Sequence, residues 1–140
     1  MAQTPADYAT VGIVSDARES YAKRVTRDVE VSAVRDLLEH PPRATVAFVD
    51  GGAVSLLPAR ARCSASKHLF GVSSATAPDL AGREVVLVID DGSYWFEVRG
   101  ISVRGIAARV EPPSGDGALV WYAIEPRRVL AWDYGAIRAE

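Results

Sequence analysis

The chain has 140 residues, 49% hydrophobic and 24% charged, with a formal net charge of -2 and a pI near 5.7. That length suits one domain able to bury its own core, and the charge balance excludes a nucleic-acid partner held by bulk positive charge. Cys63 is the only cysteine, so an internal disulfide is excluded, and no stretch reaches the roughly 18 apolar residues of a membrane-spanning helix.

The opening MAQTPADYATVG has neither a basic segment nor an apolar run, so residues 1–14 read as a flexible arm and the protein as cytoplasmic. Residues 15–140 read as a single domain. A charged helix is expected from Ser15, which can cap it, with Tyr21 and Val25 four apart on one face. A second helix is expected over Val29–Glu39 with Asp28 as cap; Val31, Val34, Leu37 and Leu38 form its apolar stripe, and Pro41-Pro42 stop it.

The pattern then changes to strands. Ala44–Val49 is followed by the hairpin turn Asp50-Gly51-Gly52, and a second strand runs Ala53–Cys63. A third covers His68–Ser73, and SSATAPDLAG is a connection with one helical turn. A fourth runs Glu84–Ile89, and Asp90-Asp91-Gly92 is a tight turn. A long strand is expected over Tyr94–Val110, bent at Gly100 and Gly105. EPPSGDG is a surface loop, and Leu119–Ile124 and Arg128–Trp132 are two last strands split by Pro126. The fold class is mainly β with helices (α+β): a split β-barrel of about 6–7 antiparallel strands preceded by N-terminal helices. An OB-type barrel would need fewer strands.

The nucleotide-binding glycine loops, the zinc-protease motif HExxH and the serine elbow GxSxG are absent from the sequence. His40 at a helix end, His68 at a strand start and Cys63 among small residues all read as structural. Neither a catalytic side chain nor a metal ligand is expected. Alternation along LLPARARC puts Leu56, Pro58, Arg60 and Arg62 on one face and Leu57, Ala59, Ala61 and Cys63 on the other. Arg60 and Arg62 then read either as a solvated strip or as a forked donor pair for a phosphate or carboxylate. Arg99, Arg104 and Arg109 recur every five residues, with Glu97 and Glu111 as ion-pair partners for two of them. Trp95, Trp121 and Trp132 read as core or interface packing, with Trp132 in AWDYG also a candidate ligand contact.

In order, the ATVAFVDGG hairpin, SLLPARAR, KHLFGVSS, RGISVRGIAARVE and EPRRVLAWDYG resemble the pyridoxamine 5'-phosphate oxidase-like family of flavin and deazaflavin split barrels, over roughly residues 31–138. The resemblance implies a homodimer with FMN or a deazaflavin in a cleft between two barrels, acting as an oxidoreductase on a small-molecule substrate. It implies cofactor contacts at Pro58, Arg60, Arg62, Val72, Ser73, Ser74, Thr76 and Trp132. Haem-linked members make haem the alternative cofactor, and a non-catalytic binding barrel the alternative function. A hydrolase or isomerase on an OB-like barrel ranks last, for want of a nucleophile–base pair. The family carries a basic residue in the turn after the third strand, where this chain has Ser74-Ala75-Thr76-Ala77-Pro78. FMN is therefore expected to bind no tighter than the micromolar range, on the order of 8 kcal/mol.

Overall fold

The computed structural model describes residues 28–135 except 64–65, 93, 95–96 and 114. The expected arm, the helix from Ser15 and Trp95 lie outside the described residues.

The helix expected over Val29–Glu39 is shorter than its apolar stripe suggested. Asp28–Val29 form a two-residue strand, β1, so Asp28 is not a helix cap. A 3-10 turn (Val31–Val34) then leads into a single α-helical turn, α1 (Arg35–Glu39). Neither start has a side-chain cap, and the valines at 29, 31 and 34 are poor helix formers. Val29 instead pairs with Ala131 as strand. The stripe still does its packing: Val34, Leu37 and Leu38 are 0%, 2% and 5% exposed.

Six antiparallel strands close a barrel: β2 (Ala44–Asp50), β3 (Ala53–Cys63), β4 (His68–Val72), β5 (Glu84–Asp90), β6 (Arg99–Val110) and β7 (Val120–Asp133). Around the barrel they run β2-β3-β4-β7-β6-β5, and β5 pairs back onto β2. Each of the six has a neighbour on both sides, but Ala53–Ala59 of β3 pair with β2 alone and Arg60–Cys63 with β4 alone, and β1 adds onto β7. The β2–β3 hairpin closes at Asp50↔Ala53 around Gly51 and Gly52, whose φ angles of 59° and 83° fit a two-residue primed turn. After β4, the N–H of Ala77 bonds Ser73 O at 3.0 Å, which is the expected helical turn.

Two strand boundaries differ from expectation. The long strand begins at Arg99, not Tyr94. Asp91 and Arg99 close the preceding loop: each backbone N–H reaches an oxygen of the other at 3.0 Å, one of those oxygens being the Asp91 carboxylate. The two expected final strands are one, β7, continuous through Pro126. Pro126 is tolerated because it sits at a bulge: the register jumps from Arg104↔Arg128 to Gly105↔Pro126, leaving Arg127 as the extra residue. Gly105 permits the close approach, since a Cβ there would lie 1.9 Å from Glu125 O.

Inward residues of all six strands form the core, among them Val46, Ala61, Phe70, Leu87, Val103 and Tyr122. Phe70 stacks on Tyr122 with ring centroids 5.3 Å apart. Val34, Leu37 and Leu38 cap one mouth of the barrel. Leu80, fully buried, enters at the other, its N–H donating to Tyr122 Oη at 3.1 Å. No described helix is long and apolar enough to cross a membrane.

Candidate functional site

The alternation expected for β3 is present. Pro58, Arg60 and Arg62 are exposed on the outer face with Val54 and Leu56, while Ala59, Ala61 and Cys63 turn inward. The two arginines converge on a group the sequence reading did not single out, Asp116 of the loop between β6 and β7. Arg60 Nη1 donates to Asp116 Oδ1 at 3.0 Å, and Arg62 Nη2 donates to Oδ2. The arginine side chains are 64% and 47% exposed, but that of Asp116 is only 6% exposed. Two cations thus compensate one buried carboxylate.

The reason for Asp116's burial is Trp121. This residue lies opposite Gly71, itself opposite Arg60, so its indole stands on the outer face of the barrel. It is nevertheless fully buried, and it stands apart from the main core. Its Nε1–H donates to Asp116 O at 2.8 Å. Gly71 supplies the flat seat, because a Cβ there would fall 2.6 Å from the indole. The Asp116 loop is therefore a flap held over Trp121 and locked to the β3 arginines.

The turn after β4 is the second half of the candidate site. Val72 faces inward and is buried, and residues 73–76 are exposed. Ser73 Oγ accepts from Ala75 N–H at 3.2 Å, and Thr76 Oγ1 donates to Ser73 O at 3.3 Å, so both hydroxyls serve the turn itself. Ser74 opens into a cleft of about 270 Å³ at this barrel mouth, together with Val72, Pro78, Asp79, Tyr122 and Arg109. Asp79 is engaged: its Oδ1 accepts from Ala81 N–H at 3.0 Å and Tyr122 Oη at 3.4 Å. Arg109, opposite Tyr122 on β6, is exposed and makes no ion pair or hydrogen bond among the described residues. A positive charge absent from the turn itself thus stands in the same cleft, on another strand. The signal was present: Gly105, Ala107 and Arg109 share one parity of RGIAARV, which puts an arginine in line with the core at a strand end.

The structure brings Pro58, Arg60 and Arg62 into one strip. Val72 ends β4, and Ser73, Ser74 and Thr76 form the turn that follows, starting two residues beyond Gly71. Trp132 stands apart at the far end of β7, packed on Gly100, where a Cβ would lie 2.2 Å from its ring. Arg99 does not pair with Glu97 as expected. It bridges Asp36 of α1 (3.1 and 2.7 Å) and Asp91 (2.7 Å), because the backbone bonds between residues 91 and 99 hold Asp91 beside the strand start. No group of three or more His, Cys, Asp or Glu residues could hold a metal ion among the described residues.

No protein-family model and no curated protein matches the sequence. Solved structures do match the fold. An FAD-binding protein from Mycobacterium smegmatis superposes with a TM-score of 0.59 at 15% identity, over 74% of this chain and 94% of that one. A candidate pyridoxamine 5'-phosphate oxidase from Corynebacterium glutamicum gives 0.57 at 10% identity, over 74% and 89%. An FAD- and haem-binding protein from M. smegmatis gives 0.56 at 16% identity, over 74% and 71%. The chain has the split-barrel fold of these proteins.

Proposed function

We propose that this chain is a flavin- or deazaflavin-binding split barrel, acting as a cytoplasmic, homodimeric oxidoreductase on a small-molecule substrate. The fold supports a flavin, and one observation carries the reading: the cleft at the end of β4 joins a hydroxyl, Ser74, to an arginine without an internal counter-ion, Arg109. A cofactor phosphate needs that combination of donors to offset its lost hydration. The outer face of β3 offers Pro58 and Leu56 as an apolar surface for a ring system, with Arg60 and Arg62 beyond. When bound, the cofactor supplies the hydride or electron transfer; the chain binds and orients it. That assignment agrees with the lack of an acid–base pair in the sequence.

Haem is less well supported. An iron-ligating imidazole is normally held by a hydrogen bond at its other nitrogen, and His68 Nδ1 is buried without one.

The test compares FMN with riboflavin, which lacks the phosphate, by quenching of flavin fluorescence. One cation and one hydroxyl, with Asp79 nearby, keep FMN affinity in the micromolar range, about 8 kcal/mol. Arg109→Ala should weaken FMN binding by roughly tenfold or more, the loss of one charge-assisted hydrogen bond, and leave riboflavin unchanged. Equal loss for both flavins, or no loss for either, defeats this placement of the phosphate.

The proposed dimer rests on the outer sheet face. Val49, Val54 and Leu56 are 59%, 73% and 65% exposed, and Val49 pairs directly with Val54. Val86 and Val88 of β5 extend the same face across β2. On the adjoining β6, Arg104 keeps its Nε buried without a hydrogen-bond partner. An apolar outer face of this kind suits a second copy of the chain.

A further inference from the structure

The other mouth of the barrel, beneath α1, holds a half-open cavity of about 950 Å³. Its walls are Val31 and Leu38 from the capping segment, Pro126 and Val129 from the bulged part of β7, and Cys63 and His68 from β3 and β4. The bulge shapes this wall: with Arg127 unpaired between them, Pro126 and Val129 lie on the same side of β7, Pro126 exposed and Val129 half-buried. The size is at the upper end of the roughly 300–1,000 Å³ of ligand cavities, and an apolar lining with few polar groups is their usual character.

His68 is the polar group that points to a ligand. It is 7% exposed and lies directly opposite Cys63. Its Nδ1 is buried with no partner. Burial holds the imidazole below its ordinary range and pushes the Cys63 thiol up to about 11, so both are uncharged at neutral pH. A neutral imidazole has one N–H. An orphaned buried N–H is costlier than an under-used acceptor, so the proton belongs on Nε2 of this cavity-lining residue. At its buried end the site thus presents the His68 N–H beside Leu38, with Ser32, Arg35, Glu39 and His40 as polar groups towards the exposed rim. At the rim Arg35 and Glu39 carry opposite charges, and nothing inside would balance a charged guest.

We propose that this cavity binds an uncharged, largely apolar small molecule bearing one carbonyl-type acceptor that takes the His68 N–H. The site is separate from the flavin cleft at the opposite mouth and does not depend on it.

A matched probe is 6-propionyl-2-dimethylaminonaphthalene, a neutral aromatic ketone whose emission shifts to the blue in apolar surroundings. Titrated against the full-length protein, it should bind saturably with blue-shifted emission. His68→Leu keeps the apolar volume but removes the donor, and should weaken binding about fivefold to tenfold. His68→Gln restores an N–H and should recover most of the loss. Val129→Trp puts an indole into the cavity and should weaken binding by roughly tenfold or more, with FMN titration of the same sample unchanged, so failure here and failure of the flavin reading are told apart. If Val129→Trp does not fold, the His68 pair decides alone. Absence of saturable binding to the wild-type chain, or binding undiminished by His68→Leu, overturns the proposal.

Discussion

At the scale of single residues, the most consequential group is Asp116. Arg60 and Arg62 looked in the sequence like a free pair of donors; in the fold they are already engaged with a buried carboxylate. Removing both, as Arg60→Ala with Arg62→Ala, leaves Asp116 buried without compensation. Because the arginines are largely solvated, the expected loss is about 2 kcal/mol, below the value for a fully buried pair. Adding Asp116→Asn to that double variant should restore most of it, as measured by urea denaturation. An undiminished midpoint in the double variant would show that the flap does not need the arginines. The same lock bears on ligands, since any anion approaching these arginines competes with Asp116. Asp116→Asn alone should therefore strengthen FMN binding if the strip contacts the cofactor, and leave it unchanged if only Arg109 does.

Cys63 and His68 set a pH window. A thiol pushed up from 9.0 to about 11 favours the neutral form in the fold. Its contribution is complete below pH 9 and lost as pH rises from 9 towards 11. His68 is lowered from 6.5, so the folded state resists its protonation, and its contribution is complete above pH 6.5 and lost as pH falls below it. Stability should be flat between these limits, and His68→Gln should flatten the acid side. At pH 8 the Cys63 thiolate is on the order of 100-fold rarer than at an unperturbed site, so alkylation should be slow until the protein unfolds. Rapid labelling of the native protein would contradict the burial of Cys63.

At the scale of elements, the β6–β7 pair carries the departures from simple patterning. Gly105→Ala would put a Cβ against the Glu125 backbone carbonyl, which cannot rotate away, and is expected to cost about 2–3 kcal/mol. Gly51→Ala meets nothing within 4 Å and faces only the strain of φ 59°, so it should cost about 1 kcal/mol. Reversal of that order in thermal or urea melts would mean that the bulge relaxes easily. Arg99 ties α1 to the start of β6 through Asp36 and Asp91, and its side chain is 30% exposed. Arg99→Ala should cost about 1 kcal/mol and raise amide exchange in residues 35–39 before the barrel strands.

At the scale of the whole molecule, the proposed dimer uses the outer β2–β3–β5 face. Sedimentation at micromolar concentration should show a dimer. Leu56→Glu, a change at a side chain already 65% exposed in the single chain, should give a folded monomer. A wild-type monomer, or a Leu56→Glu dimer, places the interface elsewhere or removes it.

Sequence alone determined the strand set of this protein closely, because alternation and turn chemistry are local. β3 spans Ala53–Cys63 as read, the Gly51-Gly52 turn follows from the positive φ that glycine tolerates, and the inward and outward faces of LLPARARC follow from a period of two. Local reading failed where pairing overrides propensity. Val29 joined a strand because Ala131 was there to pair with it, and Pro126 stayed within a strand because Gly105 let the partner chain approach. The candidate site was half legible for the same reason. Its β3 arginines and its β4 turn are each contiguous in sequence. Arg109 and Asp116, which supply one site's charge and quench the other's, come from segments 30 to 60 residues away. Only closure of the barrel sets β6 and its following loop beside β3 and β4, and spacing along the chain carries no record of which strands will meet.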